Sequence, residues 1–161
     1  MDDADRDFLA DGERTFLLAL NESGVRYLVT GMSAALLQGA RGSTEDIDLW
    51  FEDIADERIG KAAREAGGFW VTRMQPPMLG GELGSRFDVV THMSGLESFE
   101  AEYENAPVEE IGGVTVHLLP LRRILHSKRS AGRTKDEPGI HQIQVALDVL
   151  EQLERGSGRD D

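Results

Sequence analysis

The sequence predicts one mixed α/β domain of the α+β kind, and three observations carry that reading. Short runs of β-branched and aromatic residues at 25–29, 47–51 and 87–91 are separated by helix-compatible stretches. A Gly112-Gly113 pair divides two further apolar runs as a hairpin turn would. The length, 161 residues and 17.7 kDa, allows one hydrophobic core and little more.

Each element follows in chain order. Residues 4–22 carry Phe8, Phe16, Leu17 and Leu20 as a partial helical stripe that ends in Asn21-Glu22-Ser23-Gly24, good stop chemistry. VRYLV at 25–29 reads as a strand, broken by Thr30-Gly31, after which 32–38 suit a helix up to Gly39. The loop at 39–43 leads into the strand 47–51. Asp56 can cap a helix over 57–66, stopped by Gly67-Gly68, and a short strand at 69–72 follows. Residues 75–84 (QPPMLGGELG) hold two prolines and three glycines, so a loop is expected there. Next come a strand at 87–91, a short helix at 96–103 and a hairpin from 108–111 and 114–118. Pro120 is placed as the first residue of a helix to about 131. The last helix, 138–154, puts Ile140, Ile143, Leu147 and Leu150 on one stripe. The tail GSGRDD at 156–161 is expected to be disordered, which sets one domain over 1–155.

Composition removes several function classes. There is no cysteine, so disulfides, thiolate metal sites and thiol catalysis are excluded. The longest purely apolar stretch, 16–20, is far short of the roughly 20 residues that span a bilayer. The first residues, MDDADRD, are acidic and lead into no secretory apolar segment, so the cytoplasm is the expected compartment and no membrane partner is expected. The formal charge of −13, from 30 acids against 17 bases, repels polyanions and disfavours extended non-specific nucleic-acid binding. That charge is uneven. Residues 1–121 hold 23 acids and nine bases, whereas 122–135 hold six bases and no acid. The basic stretch is either a solvated helix face or a local site for an anion such as phosphate.

Carboxylates are the sharpest signal. In the strand 47–51, approached through Thr44-Glu45-Asp46, alternation puts Asp46 and Asp48 on one face and Ile47 and Leu49 on the other. Two carboxylates aimed the same way repel unless a cation lies between them, and Mg²⁺ takes one or two carboxylates together with substrate phosphates. The competing reading is a pair of charges guarding a sheet edge. Asp88, inside the otherwise apolar FDVV, is costly there unless partnered, and would complete a three-carboxylate cluster if its strand neighbours the first. Gly31-Met32-Ser33 stands between a strand and a helix, where a glycine permits close approach of phosphate and Ser33 could add a hydroxyl; plain N-capping by Ser33 is the alternative. His92, His117, His126 and His141 show no metal-ligand spacing and are read as surface or packing residues, and Trp50 and Trp70 as core or rim.

The order strand, Gly-x-Ser turn, helix, Asp-Ile-Asp strand and later strand aspartate resembles the nucleotidyltransferase superfamily. More narrowly, the chain resembles the small bacterial AbiEii/AbiGii toxin-like nucleotidyltransferases. The resemblance rests on YLVTGMSAALLQGARGSTEDIDLWF (27–51), RFDVV (86–90) and LHSKRSAGRTKD (125–136), the last similar to a Lys-x-x-x-Gly-Arg-x-Lys-Asp segment that follows a hairpin, and its order spans about 16–150. It implies a nucleotidyltransferase-like mixed β-sheet flanked by helices. It also implies Mg²⁺ or Mn²⁺ at Asp46, Asp48 and Asp88, with Asp88 helping to position or deprotonate an attacking hydroxyl. Gly31 and Ser33 would hold the triphosphate of an NTP, and Lys128, Arg133 and Lys135 would line the nucleotide or acceptor side. A tRNA or protein acceptor, a toxin–antitoxin or phage-defence setting and a cognate antitoxin belong to the same resemblance. The chain departs from the pattern at Met32, where the family usually has a second glycine or serine, at Arg41-Gly42, where an arginine is shifted by one, and at Gly139, which replaces a frequent acid. Met32 favours a competing reading, a non-catalytic nucleotide- or partner-binding module; a simple cation-binding domain is a third.

Overall fold

The computed structural model describes residues 8–157, which contain six α-helices and seven strands. Helix α1 (Asp11–Glu22) buries Phe16, Leu17, Ala19 and Leu20, and the Glu13 carboxylate accepts the Ala10 N–H at 3.1 Å to close its first turn. It starts later than the apolar stripe suggests, and residues 4–7 of that expectation lie outside the described residues. Strand β1 (Tyr27–Thr30) is buried throughout and passes without a loop into α2 (Gly31–Leu37). Strand β2 (Ile47–Phe51) alternates as its sequence requires: Ile47, Leu49 and Phe51 are buried, and Asp48 and Trp50 are half-buried. Helix α3 (Glu57–Glu65) is capped by Asp56, whose carboxylate accepts the Arg58 N–H at 3.0 Å.

Strands β3 (Phe69–Val71) and β4 (Met78–Gly80) pair antiparallel, and a 3₁₀ turn (Gly81–Ser85) leads into β5 (Phe87–Val90). Helix α4 (Phe99–Glu104) begins where Ser98 accepts the Ala101 N–H, three residues after the expected start. The hairpin of β6 (Val108–Ile111) and β7 (Val114–His117) turns on Gly112 and Gly113 as its sequence predicts. Helix α5 (Leu121–Ala131) and a 3₁₀ turn (Thr134–Asp136) precede α6 (Glu137–Ser157).

The central sheet has the order β1-β2-β5, with β1/β2 antiparallel and β2/β5 parallel. The hairpin joins its β1 edge through a parallel bridge of Val29 with Leu118, and Leu119 N–H donates to Val29 O at 2.9 Å. One continuous buried cluster links the sheet to α1, α3 and α5, with Phe16 and Phe87 rings 5.3 Å apart at its centre.

Five local expectations are corrected. Strand β4 lies inside the stretch expected to be a loop, because Met78 and Leu79 find partners in Trp70 and Val71. Pro120 is the N-cap of α5, with ψ 149°, and Leu121 is its first residue. Ser33 is not a cap: Thr30 holds that position and α2 starts at Gly31. Leu150 is 40% exposed, beside exposed Val145, Val149 and Leu153, so only Ile143 and Leu147 of the expected pattern are fully buried. Gly156 and Ser157 continue α6 into the expected tail, and the last four residues lie outside the described ones.

Candidate functional site

Strand register brings distant acids together. Asp48 is the Cα partner of Asp88 in the parallel pair and of Thr30 in the antiparallel pair, so all three side chains stand on one face of the sheet. Asp46, two residues before Asp48, adds to the same face. Burial, then the Asp88 and Asp46 charges, push the Asp48 carboxyl up to about 6 against the opposing pull of Lys128. Partial burial, then the charge of Asp46 and a proton that Asp46 can share, raise Asp88 as well. Among the described residues, no three carboxylate or imidazole groups are drawn together closely enough to enclose an ion. The donor set nevertheless suits a hard cation: it offers only oxygen, and the mutual repulsion that raises Asp48 and Asp88 is what a cation relieves.

Two small residues make this arrangement possible. Gly31 has φ +64°, and a Cβ there would lie 1.9 Å from Asp48 Oδ2, so only glycine lets that carboxylate rest on the start of α2. Ser33 is buried; its hydroxyl donates to Thr30 O at 3.0 Å and accepts the Asp48 N–H at 3.4 Å. Ser33 therefore ties α2 to β2, and its hydroxyl is turned inward rather than presented to phosphate.

The basic segment shares a cleft with one of these carboxylates. That cleft, of about 550 Å³, is lined by Gly31 and Asp48 and by Lys128, Arg133 and Lys135. Asp46, Asp88 and Ser33 do not line it. Gly132, at φ +63°, ends α5 in the left-handed conformation and turns the chain so that Arg133 comes back over the cleft. Buried Asp136 joins the cations: Arg133 Nε donates to it at 2.7 Å and Lys128 Nζ at 3.4 Å. Burial alone would raise the Asp136 carboxyl, but these two cations hold it below the ordinary range. Hollows of about 530 and 580 Å³, beside α6 and beside α3, contain neither the paired aspartates nor the basic segment.

The remaining singled-out residues fall mostly where packing puts them. Trp50 meets Phe99 edge-on and Trp70 meets Phe51 in the same way. His117 stacks on Tyr103, and His126 Nε2 lies 3.1 Å from Gly95 O. His92, read as a surface or packing residue, is exposed and also lines the cleft. Met32 Sδ stands 3.1 Å from where a Cβ at residue 139 would be, so Gly139 makes room for it. Thr30 looks like a strand end in sequence, and Asp136 enters only as the last residue of the 125–136 segment.

No protein-family model and no curated protein matches the chain. Solved structures do. The crystal structure of ANT(2'')-Ia in complex with adenylyl-2''-tobramycin is similar over 91% of this chain and 94% of its own, at 17% identity and a TM-score of 0.56. A solution structure of the same antibiotic-resistance factor is similar over 91% of this chain and 89% of its own, at 20% identity and a TM-score of 0.54. An antigenic nucleotidyltransferase-like protein from Paracoccidioides brasiliensis covers 86% of this chain with 75% of its own length, at 19% identity and a TM-score of 0.55. The fold is therefore nucleotidyltransferase-like, as the order of motifs implied.

Proposed function

We propose that this chain is a nucleotidyltransferase that moves an NMP unit from an NTP to a hydroxyl of a macromolecule, with Mg²⁺ or Mn²⁺ as cofactor. The observation that carries the reading is the register of Asp48 beside Asp88, with Asp48 lining the same cleft as Lys128, Arg133 and Lys135. Asp46, Asp48 and Asp88 would hold the cation, which supplies charge neutralisation at the triphosphate when bound. Lys128, Arg133 and Lys135 neutralise the remaining phosphate charge, which the acidic body of the protein would otherwise repel. Gly31, which gives the Asp48 carboxylate room against the start of α2, would border the triphosphate. The acceptor oxygen forms a bond to the α-phosphorus, the bond from that phosphorus to the bridging oxygen breaks, and pyrophosphate leaves. Asp88 would help to position or deprotonate the attacking hydroxyl.

The structural neighbour ANT(2'')-Ia holds adenylyl-2''-tobramycin, which supports nucleotidyl transfer in general. A tRNA or protein acceptor, a toxin–antitoxin or phage-defence role with a cognate antitoxin, and a cytoplasmic location form the rest of the reading. They rest on the AbiEii/AbiGii-like motif order, and the net charge of −13 favours a protein or an RNA end held only at the basic segment. The second reading, a non-catalytic nucleotide- or partner-binding module, is favoured by Met32 in the first turn of α2.

Incubation with each labelled NTP and cell lysate separates the two. Transfer should label a macromolecule, and Asp46→Ala and Asp48→Ala should each reduce labelling by roughly a hundredfold or more. Label that persists in both variants, or metal-dependent NTP binding with no transfer, would exclude the enzyme reading.

A further inference from the structure

The floor of the cleft contains a polar group with nothing to bond. Thr30 is 1% exposed and lines the cleft, yet its hydroxyl reaches no acceptor or donor in the protein. Buried hydroxyls are nearly always paired, and leaving one unpaired costs about 1–3 kcal/mol. The surroundings give no structural reason for that cost. Thr30 is the N-cap of α2, but its side chain does not cap, and its own carbonyl is already taken by Ser33. A valine would fill the same volume in the same buried strand with no orphaned group.

Its position suggests what the hydroxyl is kept for. Thr30 is the cross-strand partner of Asp48 and the immediate neighbour of Gly31, where the absence of a side chain leaves the Asp48 carboxylate room. Lys128, Arg133 and Lys135 line the same cleft. These three cations call for a ligand that carries oxyanions, and an oxyanion is the acceptor the hydroxyl lacks. We propose that Thr30 is a substrate-binding residue whose hydroxyl donates a hydrogen bond to a phosphate oxygen of the bound nucleotide. This rests on the reading of the cleft as an NTP site. Rotation about χ1 carries the threonine hydroxyl between staggered positions without moving the backbone. Thr30 takes over the role that the inward-turned Ser33 does not fill.

The test sets stability against affinity. Thr30→Val and Thr30→Ser are compared with the unaltered protein for melting temperature without ligand and for binding of each MgNTP by calorimetry. Thr30→Val should melt at the same temperature or higher, because the orphaned group is gone, while its affinity for the preferred NTP falls about tenfold. Thr30→Ser should bind within about threefold of the unaltered protein. Thr30→Val binding as tightly as the unaltered protein would overturn the proposal and leave the NTP site standing. Failure of the unaltered protein to bind any MgNTP would overturn both. Should Thr30→Val not fold, Thr30→Ala carries the same affinity comparison.

Discussion

Asp48 shows what the site costs the protein that carries it. Its carboxyl is pushed up to about 6 by burial and by its acidic neighbours. A carboxyl raised in the folded state retains a proton that the unfolded chain has already released, so stability falls as pH rises from about 4 to 6, and the full penalty is present above that. Asp48→Asn removes the penalty. At pH 7.5, without metal, the variant should be more stable by on the order of 2 kcal/mol, and the difference should vanish below about pH 4. Urea melts at the two pH values check this; a stability gain that persists at low pH would mean that packing, not charge, is responsible. Asp46 and Asp48 were readable from strand alternation, and Asp88 from the cost of one charge in an apolar run. Thr30 was not, because an orphaned hydroxyl is visible only when every neighbour has a position. Asp136 was legible only as the last residue of the 125–136 segment; its burial and its pairing with Lys128 and Arg133 could not be read from composition.

At the level of elements, α2 and α6 meet through an unusual pair. Met32 and Gly139 both depart from the motif pattern that the chain otherwise follows, and they touch: a Cβ at residue 139 would stand 3.1 Å from Met32 Sδ and 3.8 Å from Lys128 Cε. A side chain added on one helix is accommodated by one removed on the other, beside the lysine that lines the cleft. Gly139→Ala gains helix propensity, worth up to about 1 kcal/mol. With Met32 present, crowding should offset most of that gain; in a Met32→Ser background it should appear in full. A double-mutant cycle should therefore show coupling of about 0.5–1 kcal/mol, and strict additivity would mean that the thioether simply moves aside. The long, strongly patterned elements were readable: β2, the hairpin and α5 each lie within a residue of expectation. Strand β4 was not, since prolines and glycines on both sides mark a loop, and its three residues are held as a strand only by pairing with β3.

For the whole molecule, the dominant quantity is charge. A formal charge of −13 on 161 residues makes the folded state repel itself, so salt should stabilise it. Raising NaCl from about 10 to 200 mM should increase the melting temperature by a few degrees, whereas an unchanged or lower value would show that local ion pairs such as Arg123–Glu102 outweigh the general repulsion. The mixed architecture followed from patterning, but the strand order did not. Alternation says which face a residue takes and nothing about which strand lies beside it, so the adjacency of Asp48 and Asp88 emerged only with the fold. That adjacency is parallel, and the intervening chain, residues 52–86, must leave the sheet and return, passing through the exposed stretch 72–76. A single cut there would leave Asp46 and Asp48 on one polypeptide and Asp88 with every cation of the cleft wall on the other. Neither fragment would hold the complete set proposed for the site, so any activity that set supports would require both pieces to come together.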